Sequence, residues 1–569
     1  MIPQSISFHR STVAKSALPA WRSHCVLFLI SMCFIALFVR AFWVQCIRSD
    51  FYIRQGRKRY EHAVETVTMR GRVLDRNGSI LAINEPVQDV WIVPSEFRQA
   101  TDDERRSIAS LLGTPEAELS IKAHSDKKFL YLQRQVGVKP ATRIATLSVP
   151  GVHMTVGVRR YYPGGSDFAQ LVGFIGLDGH GLEGVEMASD GTLTGTPGRR
   201  DIIVDRMGRP VENVSPPLPG KPGSDIALSI DRRIQHLAMI AVQRSVTRFA
   251  ATAGCAIVLD ARTGEILALA NLPTFDPNLE AAPYDDRFRN RALSDVFEPG
   301  STIKPVTVAL ALQEQVVTPD THFDTSPGVL KIYGSLIHDT SDHGDITVTQ
   351  VIAKSSNIGM VKIAGKLSPK DMWQMFRSFG IGERPIADFP SAERGTLRPA
   401  LRWKPIEQAT MAYGYGLSVS LSQLADTYTV FAHDGVRQPL SLQRIQSPRG
   451  GVSVISPDTA REIRKMLEAA VAPGGTAAIA RLPDYRVGAK TGTARKQSGV
   501  GYARGKYRAM FVGMAPMSDP RLIVAVMIDE PSRGSYYGGP VAGPVFAEIM
   551  ENSLHLLGVP PDLPIAKHP

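Results

Sequence analysis

The longest apolar stretch comes early. From Cys25 to Ile47 the run CVLFLISMCFIALFVRAFWVQCI is interrupted only by Ser31, Arg40 and Gln45, which is about the length needed to cross a bilayer as one helix. It is long for the core of a signal peptide, and no small-x-small cleavage pattern follows it, so it reads as an uncleaved anchor. Arg40 lies near the end of the run, where its stem can snorkel to the headgroups. Arg10, Lys15 and Arg22 precede the span and Arg48, Arg54, Arg57, Lys58 and Arg59 follow it, so basic residues alone do not orient it. No second span appears, which places everything after residue 47 on one side of the membrane.

Residues 60–225 alternate over short distances between Gly and Pro punctuation, as in VLDRNGSILAIN and RRYYPGGSDFAQLVGFIG, and predict a strand-rich module with few long amphipathic helices. The run VSPPLPGKPGS at 214–224 has the composition of a connector and marks the main junction. Beyond it, DRRIQHLAMIAVQRSVTRFA has helical spacing, and AIVLDARTGEILALA reads as two strands around a turn at Arg262, Thr263 and Gly264. AMFVGMAP and LIVAVMID add two strands, and PVFAEIMENSLHLLG a terminal helix. An antiparallel sheet with the first and last helices packed together on it would bury all of these.

Length and composition set the limits. The 569 residues exceed one ordinary core, and 43% hydrophobic with 21% charged is a globular composition rather than a disordered or polytopic one. A formal charge of +11 favours an acidic neighbourhood. With no zinc-finger spacing, no aromatic RNA-binding pattern and no long basic run, nucleic acid is not the predicted partner. Cys25, Cys33 and Cys46 lie in the apolar segment and Cys255 stands alone, so no disulfide framework is available.

Candidate chemistry centres on FEPGSTIKPVTVALAL. Ser301 and Lys304, three residues apart, fall on one helical face, where they can share a proton. Pro305 is tolerated only in a first turn and pins the helix start near Ser301, where free N–H groups favour a developing anion. The apolar run Val306 to Leu312 implies a buried helix, so Lys304 starts poorly solvated; desolvation lowers a lysine pKa and frees the amine to act as general base toward the Ser301 hydroxyl. Ser355, Ser356 and Asn357 in AKSSNIGM, then Lys490, Thr491, Gly492 and Thr493 in VGAKTGTARK, follow in order. A second serine can relay the leaving-group proton, an asparagine can hold a substrate amide, and a Lys-Thr-Gly strand can bind a carboxylate. A side chain at Gly492 would block approach of substrate to that strand.

Chance matches provide the comparison. Ser125 and Lys128 in HSDKKF have the same spacing but lack the buried helix and the fixing proline, and Arg262-Thr263-Gly264 sits in a hairpin turn. His338 and His343 in HDTSDHGD lack supporting metal-ligand spacing and read as a polar loop. No cofactor or metal is predicted, and no G-x-S-x-G elbow suggests a hydrolase triad.

Ser-x-x-Lys, Ser-x-Asn and Lys-Thr-Gly in this order resemble the penicillin-binding proteins. EPGSTIKP, SSN, YGYGLSVSLSQLA at 413–425, KTGTA and YYGGPVAGPVF at 536–546 are similar to the class B transpeptidases, most of all the division-specific FtsI type. RGRVLDRNG at 70–78, RRYYPGG at 159–165 and GLEGVE at 181–186 look like the class B pedestal and read as structural. The resemblance, which runs to about residue 555, implies an α+β chain with a cytoplasmic tail (1–24), a transmembrane helix (25–47), a pedestal of the dimerisation type (48–224), a transpeptidase domain (225–555) and a C-terminal tail (556–569). It also implies a single-pass protein of the bacterial inner membrane, at the division septum, with the catalytic part periplasmic.

In that family's chemistry Ser301 attacks the penultimate D-Ala carbonyl of a peptidoglycan stem peptide, Lys304 takes its proton and Ser355 relays protons. Asn357, Lys490, Thr491, Gly492 and Thr493 bind substrate, with the Ser301 and Thr493 N–H groups as oxyanion hole; Ser356 receives no role. β-Lactams acylate the same serine, and an FtsW-type glycosyltransferase and other division proteins are the implied partners. The alternatives are an elongation-type class B enzyme, a β-lactam-hydrolysing enzyme, for which no Glu-x-x-x-Asn pattern lies between Asn357 and Lys490, and a non-catalytic division scaffold or β-lactam sensor.

Overall fold

The computed structural model describes residues 20–569 apart from 67, 177, 205–209, 215, 217, 280–284, 387–388, 390, 448–449, 500 and 565–569. Most of the 1–24 tail, the end of the 556–569 tail and two positions of the 214–224 connector therefore lie outside the described residues. The chain forms two compact units, Met1–Thr68 with Thr196–Lys221, and Met69–Gly195 with Pro222–Pro569.

In the first unit a 28-residue apolar helix, Ala20–Ile47, is long and apolar enough to cross a membrane, and none of its apolar window is covered by protein. It begins five residues before Cys25, because Ala20 to His24 continue the helical backbone, and its last turn, Trp43–Ile47, widens to a π-type turn. At Arg48 the backbone leaves the helical region (φ −116°, ψ 19°) before a second helix, Ser49–Tyr60, begins. Glu61–Thr66, Gly198–Val204 and Pro210–Asn213 complete the unit as a three-stranded antiparallel sheet.

The second unit holds the rest of the pedestal sequence and the catalytic domain. The 13-residue strand Ile80–Ile92 pairs antiparallel with Val152–Tyr161 and with Leu130–Gly137. Besides these strands the segment folds helices Asp102–Leu112, Glu116–Ala123 and Val138–Leu147, each too short to show a sustained stripe in sequence. The first starts at a capping box of Thr101 and Glu104. Val90, Ile92, Phe97, Ile108, Leu119, Leu132 and Ile144 form one core between helices and sheet.

The three pedestal motifs meet in a buried charge network. Glu186, wholly buried, accepts from Arg70 Nε at 2.6 Å and Arg160 Nε at 2.7 Å, and Arg70 also reaches Asp190 at 2.7 Å. RGRVLDRNG, RRYYPGG and GLEGVE thus supply partners to one site. A buried carboxylate is tolerated only with such pairing.

In the catalytic domain, helix α1 (Arg232–Arg248) starts at Asp231, whose side chain accepts the Arg233 N–H. Strands β1 (Ala253–Asp260), β2 (Ile266–Leu272), β3 (Gly488–Ser498), β4 (Gly501–Ala515) and β5 (Leu522–Asp529) make a fully antiparallel sheet of order β2-β1-β5-β4-β3, which leaves β3 at an edge. Both faces of β1 are covered: Cys255, Ile257 and Leu259 enter one core, Ala256 and Val258 the other. Helix α4 (Gly538–Leu556) packs beside α1, with the Ser245 hydroxyl on the Val541 carbonyl at 3.0 Å. Helices α2 (Lys304–Gln313) and α3 (Asn357–Ala364) add residues to the core on the other face.

Candidate active site

Ser301 lies in a tight 3-10 turn, Gly300–Ile303, that runs into α2, with Pro305 in the first α-helical turn. Lys304 to Ala311 are all buried. Gly300 takes a left-handed φ of 53° and donates to the Gly414 carbonyl at 3.1 Å, and a Cβ on Gly414 would lie 2.1 Å from the Gly300 carbonyl. The YGYG stretch is therefore a seat for the turn that carries Ser301. Two further contacts hold that turn: the Tyr428 hydroxyl donates to the Thr302 carbonyl at 2.8 Å, and the buried Glu298 carboxylate accepts from the Gly416 N–H at 2.8 Å and the Tyr502 hydroxyl at 3.0 Å.

The second motif enters after helix Val348–Ala353 ends. Ser355 adopts a φ of 61°, a conformation that costs a residue with a side chain about 1–2 kcal/mol. This turn directs its hydroxyl to both buried lysines: Lys490 Nζ donates to Ser355 Oγ at 2.9 Å and Lys304 Nζ lies 3.2 Å from it. Lys304 Nζ also donates to the Ser355 carbonyl at 2.5 Å and to Asn357 Oδ1 at 2.9 Å. Ser356 caps α3 by accepting the Gly359 N–H at 2.9 Å.

Sequence reasoning missed Asp339. Its carboxylate accepts from the Ser356 hydroxyl at 2.5 Å and from the N–H groups of Asn357 at 2.5 Å and Ile358 at 3.1 Å. The Asn357 amide donates to the His338 carbonyl at 2.9 Å. The polar run HDTSDHGD thus fixes the second motif from outside it, and its acid-rich composition before an SSN helix start is the only sequence signal of that role.

The third motif forms the start of the edge strand β3. Side chains alternate along it: Lys490 is buried, while the Thr491 hydroxyl meets Thr476 at 3.3 Å and Thr493 Oγ1 accepts the Gly538 N–H at 3.0 Å. A Cβ on Gly492 would lie 2.7 Å from Thr302 Cγ2 and 3.2 Å from the Pro299 carbonyl. A side chain at 492 would therefore also meet the turn that carries Ser301, a second reason for glycine beside the expected approach of substrate. Gly538 plays the matching part on α4, since a Cβ there would come within 2.2 Å of the Gly492 carbonyl.

Burial pushes the Lys304 amine well below its ordinary pKa, the Lys490 charge adds to this, and Asp339 opposes it. Burial alone pushes Lys490 down to about 7. The Lys304 amine thus gives up its proton far more readily than an exposed lysine, and Lys490 changes charge near neutrality. Among the described residues the Ser301 hydroxyl has no hydrogen-bond partner; the bonds of Lys304 run to the second motif, an openness common in catalytic sites before substrate binds. Ser125 and Lys128 lie in an irregular segment, and Gly264 in its turn has a φ of 74°, so neither chance match recreates this setting.

A helix-borne serine, two buried lysines on one second serine and a Lys-Thr-Gly edge strand define a serine acyl-transfer site of the penicillin-recognising class. Comparison with known proteins agrees. Residues 254–551 match the penicillin binding protein transpeptidase domain and residues 65–228 the penicillin-binding protein dimerisation domain, and the chain belongs to this family of penicillin-binding transpeptidases.

It is 39% identical over 546 residues to the probable peptidoglycan D,D-transpeptidase PenA of Neisseria gonorrhoeae, covering 95% of this chain and 93% of that one. It is 36% identical over 549 residues to the peptidoglycan D,D-transpeptidase FtsI of Escherichia coli (strain K12), again covering 95% and 93%. Among solved structures, the transpeptidase domain of Burkholderia pseudomallei penicillin-binding protein 3 is 50% identical with a TM-score of 0.55, covering 59% of this chain and 98% of that one. A peptidoglycan synthetase from Bifidobacterium adolescentis is 26% identical with a TM-score of 0.70, covering 89% and 98%.

Proposed function

We propose that this protein is the peptidoglycan D,D-transpeptidase of the division septum, working through an acyl-enzyme on Ser301 and blocked covalently by β-lactams. The observation that carries the reading is the shared position of the Ser355 hydroxyl between Lys304 and Lys490. In this reading neutral Lys304 takes the Ser301 proton as Oγ attacks the penultimate D-Ala carbonyl of a stem peptide. The N–H groups of Ser301 and Thr493 hold the oxyanion. When the tetrahedral intermediate collapses, the peptide C–N bond breaks and terminal D-Ala leaves, its amine receiving the proton from Lys304 through Ser355. An amine of a second stem then attacks the ester, forming the cross-link and restoring the serine.

The edge position of β3 supports binding of an extended stem as an added strand, with Asn357 and Gly492 along its path. Lys490, Thr491 and Thr493 take the terminal carboxylate, helped by the adjacent N-terminus of α4. The apolar helix anchors the protein in the inner membrane by a single pass, with the catalytic domain on the cell-wall side and an FtsW-type glycosyltransferase and other division proteins as partners. Likeness to a relative named FtsI supports the septal assignment.

The test is reconstitution of the full-length protein with pentapeptide-bearing glycan strands, followed by mass spectrometry of the muropeptides. Cross-linked dimers with release of D-Ala, absent in Ser301→Ala, are expected; dimers formed equally by the variant would overturn the reading. A functional fluorescent fusion spread evenly around the cell, with no enrichment at constriction sites, would overturn the septal part.

A further inference from the structure

The basic run that follows the membrane span is not used by the chemistry above. From Arg48 to Arg59 the chain carries Arg48, Arg54, Arg57, Lys58 and Arg59 against a single acid, Asp50, whereas the stretch before the span carries Arg10, Lys15 and Arg22. If the catalytic domain faces the cell wall, as the proposed function requires, the larger group lies on the side that basic residues ordinarily avoid. Arg54, Arg57 and Lys58 stand at i, i+3 and i+4 on the helix Ser49–Tyr60, so their positions fall on one side of it.

That helix is separated from the span by the non-helical backbone at Arg48, a break at which a helix axis can turn. Around the break, Trp43 lies beneath two guanidinium groups, Arg40 at 4.7 Å and Arg48 at 4.8 Å, and Phe51, Tyr52 and Ile53 are all exposed. Aromatic rings with basic side chains at the end of a span are the chemistry of the headgroup layer.

We infer that Trp43 to Arg59 is an interfacial segment whose basic residues bind the phosphates of anionic phospholipid headgroups in the outer leaflet. Charge complementarity and direct continuity with the span identify the occupant. Trp43, Phe51 and Tyr52 seat the segment at the boundary, and the helix following the break lies along the headgroups. The anchor then does more than tether: it fixes where the following sheet of the first unit emerges from the bilayer.

The inference is tested on the full-length protein in detergent, offered equal amounts of phosphatidylglycerol and phosphatidylcholine, with retained lipids counted by native mass spectrometry. Wild type retains phosphatidylglycerol preferentially, and each cation removed lowers the preference by about fivefold. R54Q/R57Q/K58Q/R59Q therefore loses it, and the charge-conserving R54K/R57K/K58R/R59K keeps it. Equal retention of the two lipids by wild type, an undiminished preference in the glutamine variant, or a copurifying membrane protein held by these residues in place of lipid would overturn the inference. Penicillin acylation of Ser301, measured on the same samples, is expected to be unchanged in both variants; its absence from every sample would count against the catalytic reading alone.

Discussion

Replacing Asp339 tests how the second motif is held. Its carboxylate accepts three hydrogen bonds at 2.5, 2.5 and 3.1 Å, from the hydroxyl and backbone that set Ser355 and Asn357. In Asp339→Asn one oxygen still accepts the two N–H groups, but the charge is gone and an amide nitrogen faces the Ser356 hydroxyl. Charge-assisted bonds exceed neutral ones by about 1–1.5 kcal/mol, so the second motif loosens by roughly that much and acylation slows by about tenfold. Asp339→Ala leaves all three donors without this acceptor, and a loss of about 3 kcal/mol corresponds to roughly 100-fold. Asp339 holds the Lys304 pKa up against burial; removing it favours the neutral base further, so a slower reaction reports displaced geometry. Stopped-flow acylation by a fluorescent penicillin gives the second-order rate constant, with chemical denaturation as the folding control. Rates within about twofold of wild type in both folded variants, a difference of under about half a kcal/mol, would refute the reasoning.

Lys490, pushed down to about 7 by burial, loses its proton as pH rises through that value, so acylation by a carboxylate-bearing penicillin should fall by up to about tenfold per unit above it. Lys490→Arg, whose charge persists, should remove that limb, and a flat wild-type profile from neutrality upward would contradict this. The same depressed pKa means that the unfolded chain binds the Lys490 proton more tightly than the folded one, so the contribution of Lys490 to stability rises between about 7 and its ordinary value of 10.5; a denaturation series across that window checks the sign. Gly492→Ala places a methyl 2.7 Å from Thr302 Cγ2, and overpacking of about 1–3 kcal/mol should slow acylation about tenfold or more; an unaffected rate would show that the turn and strand can separate. Glu186→Ala leaves Arg70 and Arg160 without their shared carboxylate and should destabilise the second unit by about 3–5 kcal/mol, read as a lower denaturation midpoint; an unchanged midpoint would mean that the network is dispensable.

The centre of the catalytic sheet was legible because β1, β2, β5 and the second half of β4 are apolar on both faces and the flanking helices carry helical spacing, so that AIVLDARTGEILALA and LIVAVMID could be read without their neighbours. Pro305 and the apolar run behind it located the helix bearing Ser301 for the same reason. What escaped the sequence depended on contacts between distant segments. Asp339 precedes Ser356 by 17 positions and meets it only through the fold. The need for glycine at 414 and 538 shows only once the chain brings the Gly300 and Gly492 carbonyls against them. The helices at 102–147 were too short for a clear period, and the left-handed Ser355 leaves no trace in composition.

The most direct test of the central claim is to treat the purified full-length protein and Ser301→Ala with a fluorescent penicillin and to map the labelled peptide. The account predicts one label per chain, on Ser301, released slowly in a chase and absent from the variant. No label on wild type, label that persists in Ser301→Ala, or rapid release of hydrolysed penicillin would contradict it.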